Sequence, residues 1–230
     1  MFNMFYPDYY YIVLVVPTLV LSLITQMMVK STFAKYSKIP CSKKISGSDA
    51  AAQLLRLNMV NDVHIETAAG SLTDHYDPSS KKLRLSESVH NSASIAAIGV
   101  AAHETGHALQ HAQKWGPLAL RSTLVPVANI GSSFGPWIAI AGLGFQIPLL
   151  FNIGIVLFAA AVLFYIITLP VEFNASSRAM TILRDNRILT DDELNGARKV
   201  LTAAAMTYVA SALTAIMSLL RLILLSRRRR

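Results

Sequence analysis

Four long apolar stretches limit what this chain can fold into. They cover residues 9–29 (YYYIVLVVPTLVLSLITQMMV), 124–145, 147–170 (IPLLFNIGIVLFAAAVLFYIITLP) and 200–225 (VLTAAAMTYVASALTAIMSLLRLILL). Each is long enough to cross the ~30 Å hydrocarbon core of a bilayer as a helix. A chain of 230 residues that is 53% hydrophobic and only 15% charged lacks the polar surface to enclose four such runs in water. Soluble domains carry about 25% charged residues. The expectation is a multi-pass protein of the cell membrane.

The flanking charges orient it. Only Asp8 precedes the first run, whereas Lys30, Lys35, Lys38, Lys43 and Lys44 follow it, which predicts the N-terminus outside and residue 30 onward in the cytoplasm. No basic residue stands before this run and no small-residue cleavage site after it, so it reads as an anchor rather than a removable signal. Runs 124–145 and 147–170 have almost nothing polar between them and predict a membrane hairpin, with the first run broken at GSSFGPW. The hairpin returns the polar segment 171–199 to the same side as residues 30–120. A fourth crossing by residues 200–225 places Arg227–Arg230 outside, against the usual cytoplasmic bias of basic residues; a helix lying on the membrane is the alternative. The net charge of +8 clusters beside apolar runs, which points to anionic head groups of the lipid bilayer as partner. No aromatic-plus-basic platform suggests nucleic acid. Cys41 is the single cysteine, which excludes an intramolecular disulfide and a thiolate metal cluster.

The polar part between the first two runs carries the chemistry. SGSDAAAQLLRLN predicts a short helix capped by Ser46 or Ser48. HIETAAGSLTDHYDPSSKKLRLSESV predicts two strand-like runs around Gly70 and the DPSS turn. Ser92 or Ser94 then caps a helix that runs to about Lys114 and is closed by Gly116 and Pro117. Within it stands AAHETGHALQHA. Residues four apart share a helix face, so His103 and His107 can turn their imidazoles to one ion, while Glu104 points about 100° away and can reach a water on it. This is the H-E-x-x-H arrangement, two ligands and a general base, and it predicts Zn2+. A buried glutamate without a cation would cost several kcal/mol, and nothing nearby in sequence supplies one.

A catalytic zinc needs a third protein ligand and an open position. His111 continues the face, but three ligands on successive turns of one straight helix cannot close around one ion. A third histidine of the metzincin kind would fall on Gln113. Glu172, in PVEFNASSRA just past the hairpin and on the predicted side, is the better candidate; its bland reading is a helix N-terminal carboxylate complementing the macrodipole. His75, Tyr76 and Arg178 are possible donors to an oxyanion.

AAHETGHALQHA, the hairpin and LPVEFNASSRA together resemble the YugP-type neutral zinc metallopeptidases of bacteria, a likeness that extends over TFAKYSK, LTDHYDP and LVPVANIGS. More distantly the chain is similar to HtpX-like and CAAX-prenyl-protease-like membrane gluzincins. The resemblance implies His103, His107 and Glu172 as metal ligands, Glu104 as catalytic base, and a zinc-dependent endopeptidase acting on membrane or membrane-proximal proteins. In many gluzincins an aspartate four residues after the ligand glutamate orients a ligand histidine; here that position is Ser176, with Asn174 as a substitute.

The expected fold is a mainly α membrane protein: about four membrane helices plus a small α+β zincin-like catalytic domain with a short β-hairpin or sheet before the H-E-x-x-H helix. Residues 1–29 form the anchor, 30–120 the catalytic domain, 121–170 the hairpin, 171–199 the third-ligand segment and 200–230 the C-terminal helix and basic tail. The competing reading is a zinc-binding membrane pseudoenzyme or scaffold, which has no use for a base at Glu104. A transporter would place ionisable residues inside the spans, which are nearly free of them.

Overall fold

The computed structural model describes residues 8–227; Arg228–Arg230 of the basic tail lie outside the described residues. A π-helical turn (Tyr11–Val15) runs into α1 (Val16–Tyr36). There follow α2 (Gly47–Leu57), β1 (His64–Ala68), β2 (His75–Asp77), β3 (Lys82–Ser86), α3 (Glu87–His90) and α4 (Ile95–Ala112). Three long helices complete the chain: α5 (Gly116–Gly144), α6 (Pro148–Asp185) and α7 (Asp191–Arg227). The fold is thus mainly helical with one small mixed sheet.

The chain divides into two compact units. One comprises the described residues up to Gln26, Leu120–Leu169 and those from Met206 onward. Its helical segments belong to the four helices that are long and apolar enough to cross a membrane. Leu23, Phe134, Trp137, Leu149 and Val156 are all exposed on them, as expected of side chains whose solvent is lipid.

Contrary to the expected break at GSSFGPW, α5 is continuous through it. Helices in lipid associate by close backbone approach across small residues, and that is how these glycines are used. A methyl group on Gly131 would strike the Leu157 carbonyl, and one on Gly135 would come within 2.8 Å of the Phe158 nitrogen. From the other side, Gly154 of α6 packs on the backbone of Ala139. The glycines are therefore the hairpin's contact surface.

In the same unit, Arg221 of α7 donates to Asp8 through Nε (2.9 Å) and Nη2 and lies over the Tyr11 ring at 5.0 Å. Ser22 and Thr214 hydroxyls meet at 3.4 Å. These contacts align α1 and α7 side by side and antiparallel, and they pair the Asp8 and Arg221 charges with each other, as charged groups in apolar surroundings require.

The second unit comprises Met27–Ala119 and Pro170–Ala205. Ser46 caps α2 in a reciprocal arrangement: its Oγ accepts from the Asp49 amide and the Asp49 carboxylate accepts from its own amide, both at 3.1 Å. The sheet has the order β1–β3–β2. β2 pairs antiparallel with β3 and β1 parallel with it, in the register His64↔Lys82 to Ala68↔Ser86. Three strands appear where two runs were expected, because the first run is cut at Gly70, whose φ of 98° suits a residue without Cβ. The Asp77 carboxylate holds the DPSS turn by accepting from the Ser79 and Ser80 hydroxyls.

Leu83 and Leu85 alternate onto the buried face of β3, as the two-residue period of a strand dictates. They join Leu54, Ile98, Leu109 and Leu183 in one core. Ser94 caps α4 by accepting from the Ala97 amide. The helix ends at Ala112, with Lys114 at φ 51°. Gly116 and Pro117, expected to close it, instead open α5, where the missing proline N–H costs nothing in a first turn.

Candidate metal centre

All the residues at issue belong to the second unit. Helix α4 presents His103 and His107 one turn apart, with ring centroids 4.8 Å apart and planes at 84°. Glu172 reaches them from α6. It was expected near the start of a helix but lies well inside one, because α6 continues through Pro170. The macrodipole reading of Glu172 therefore fails, since that effect is confined to the terminal turn. The carboxylate is 2% exposed. A single oxygen, Oε2, lies 3.3 Å from His103 Nε2 and 3.5 Å from His107 Nε2. Three atoms held at ~2.0–2.1 Å around one tetrahedral ion stand about 3.3 Å apart. The donor set of two imidazole nitrogens and one carboxylate oxygen, all within 4.8 Å of one another, fits a zinc ion.

Electrostatics agree with that chemistry. Burial pulls the His107 pKa down, but its hydrogen bond to Glu172 and the negative charges of Glu104 and Glu172 outweigh burial and raise it above the ordinary value. A field that draws a proton to this nitrogen also draws a cation. Glu104, 8% exposed, follows His103 on α4 and has no hydrogen-bond partner on the protein among the described residues. It is left to act on something else.

The second ring nitrogens are also engaged. His103 Nδ1 lies 3.0 Å from Ser176 Oγ, so the serine that stands where an aspartate was looked for does reach its histidine. His107 Nδ1 lies 3.0 Å from Gln110 Oε1. Asn174, considered as a substitute for Ser176, instead accepts from Gln110 Nε2 (3.0 Å) and Arg178 Nε (2.7 Å). Gln110 was missed in the sequence. The available signal was its position three residues after the second histidine, which brings it back to the ligand face.

The remaining polar groups separate clearly. Arg178 is committed to Asn174 and Gln113, and His75 to the Thr73 carbonyl and Arg84. Tyr76, on the edge strand β2, bonds His111 Nδ1 at 2.8 Å. Burial, with the charges of Asp62 and Asp77, pushes its pKa up to about 12, so it keeps its proton at neutral pH. His111 itself does not join the cluster of three.

Close approach of α4 to α6 depends on Gly106, the glycine of HETGH. A methyl there would lie 2.6 Å from the Ala175 carbonyl oxygen, and backbone cannot yield as a side-chain tip does. Gly106→Ala is expected to destabilise the protein by ~1–3 kcal/mol, the usual cost of overpacking. An unchanged thermal midpoint would show that the two helices can part freely.

A membrane protein whose buried helix pair offers two histidines and a glutamate to one ion has the donor set of a metal-binding membrane protein. The chain is in fact a member of the family described as "putative neutral zinc metallopeptidase", whose model matches residues 11–227, so zinc is its cofactor, and the family's description implies protein substrates. It is 46% identical over 215 residues to "Putative membrane protease YugP" of Bacillus subtilis (strain 168), a match covering 94% of this chain and 96% of that protein. No solved structure matches.

Proposed function

We propose that the protein is a membrane endopeptidase of the gluzincin type, with His103, His107 and Glu172 as zinc ligands and Glu104 as general base. The observation that carries this reading is the convergence of two imidazole nitrogens from α4 and one carboxylate oxygen from α6, at 3.3 and 3.5 Å, beside the Glu104 carboxylate, which has no hydrogen bond among the described residues. Zinc held there supplies a Lewis acid that acidifies water and polarises a carbonyl.

The chain's own groups do the rest. Glu104 takes the proton of the attacking water and delivers it to the leaving amine, so that the amine departs neutral. Glu172 supplies the one formal negative charge of the ligand set. Ser176 holds the His103 ring so that Nε2 faces inward. The outer side of β2 offers backbone groups to an extended substrate, as in strand addition; the preferred bonds are those of membrane or membrane-proximal proteins. The lysines after the first apolar run favour the cytoplasmic side for this chemistry.

One experiment tests both activity and sidedness. Sealed inverted membrane vesicles containing the full chain are expected to cleave an added peptide. Right-side-out vesicles are expected to do so only after detergent opens them. A chelator should abolish cleavage and zinc restore it. Cleavage insensitive to chelation would sink the peptidase reading, and cleavage by intact right-side-out vesicles would sink the orientation.

A further inference from the structure

Gln110 is a fully buried polar side chain, 0% exposed, and its three hydrogen bonds leave no freedom in its assignment. Its amide nitrogen faces the backbone carbonyl of Val171 at 2.9 Å and Asn174 Oδ1 at 3.0 Å. A backbone carbonyl can only accept, so the atom facing it must be the NH2 group; the flipped amide would set two acceptors against each other. The carboxamide oxygen therefore faces His107. As that oxygen is an acceptor alone, His107 Nδ1 must carry the hydrogen at 3.0 Å. With Nδ1 protonated, the lone pair of a neutral His107 lies on Nε2, the nitrogen 3.5 Å from Glu172 Oε2.

From this geometry we infer that Gln110 is a positioning residue that sets the tautomer of His107 and, through Val171, ties that histidine to the neighbouring Glu172. One carboxamide thus fixes ligands on two different helices: its oxygen orients the imidazole of α4, and its nitrogen clasps the α6 backbone at the residue before the carboxylate. The clasp extends outward, since Asn174 also accepts from Arg178 Nε at 2.7 Å and Arg178 in turn donates to Gln113. Gln113 is the C-cap of α4, so the last turns of α4 are stitched to α6 from Gln110 to Gln113. The partner is a neutral amide where a carboxylate or backbone carbonyl more often holds a ligand histidine. It orients the ring without adding charge.

This inference rests on the zinc reading of His103, His107 and Glu172, and its test separates the two. The detergent-solubilised full chain is titrated with zinc against a chelator, and its visible spectrum is recorded with cobalt in place of zinc. Gln110→Met preserves length but offers His107 no oxygen. Gln110→Glu keeps an oxygen towards His107 and, with its other oxygen protonated, can still donate to Val171. Gln110→Met is expected to bind zinc about 10–100-fold more weakly, the usual effect of losing such a partner, with an altered cobalt spectrum. Gln110→Glu is expected to remain within about threefold of the parent with the parent spectrum.

Parent-like affinity and spectrum in Gln110→Met would overturn the inference, as would equal losses in both variants. If Gln110→Met yields no folded protein, the ring nitrogen-15 shifts of His107 in the metal-free parent decide: a hydrogen on Nδ1 supports the role, and a hydrogen on Nε2 alone removes it. A parent chain that binds no zinc condemns the metal centre itself.

Discussion

Glu104→Gln is expected to lower peptide hydrolysis by a factor of about 10²–10⁴, the usual contribution of a positioned general base, while zinc stays at about one ion per chain. The amide has the shape of the carboxylate but cannot take up the proton of the attacking water. Glu104 is not one of the three converging groups, and its side chain has no hydrogen bond to surrender among the described residues, so the substitution removes a proton acceptor and one negative charge beside His107 while leaving those three groups in place. The measurement is a parallel assay of metal content and turnover on purified parent and variant. Turnover within tenfold of the parent, at full zinc occupancy, would assign the base elsewhere.

Glu172→Ala should act on the metal instead. The substitution removes the only carboxylate of the ligand set and leaves His103 and His107, whose Nε2 atoms converge on it, as a two-point site. Zinc content after dialysis is expected to fall to a small fraction of the parent's. A ligand that binds only the folded state stabilises by RT ln(1 + [L]/Kd), about 4 kcal/mol at a thousandfold excess over Kd. The parent's melting temperature should therefore rise on adding zinc, and that of Glu172→Ala should not. Zinc retained at the parent level would strike residue 172 from the ligand set.

Much of this was legible before any coordinates. Apolar run length announced the four long helices, because bilayer thickness sets a minimum that no soluble core of this size imitates. The i, i+4 histidines with an intervening glutamate announced the metal, because helix periodicity alone puts both rings on one face. Ser46 and Ser94 were readable as caps from residue type and position.

What escaped the reading depends on contacts between segments distant in sequence. GSSFGPW looks like a helix breaker until α6 is laid against it, when its glycines become the surface on which two backbones meet. Pro170 looked like the end of a helix, yet α6 passes through it and places Glu172 mid-helix. The parallel pairing of β1 with β3 left no mark in composition or spacing. Gln110 was only half visible: its place three residues after His107 is local, but its partners Val171 and Asn174 lie 61 and 64 residues away, and only tertiary structure shows that the amide is saturated.

The Asp8–Arg221 contact joins residues 213 apart in the chain. The entropic cost of closing a loop grows only slowly with its length, and the pairing cannot form until Arg221 has been synthesised. Arg221 is made after every residue of the unit that holds the histidines and glutamate. Both histidines and the glutamate are thus already in the chain before Asp8 can meet the arginine it pairs with.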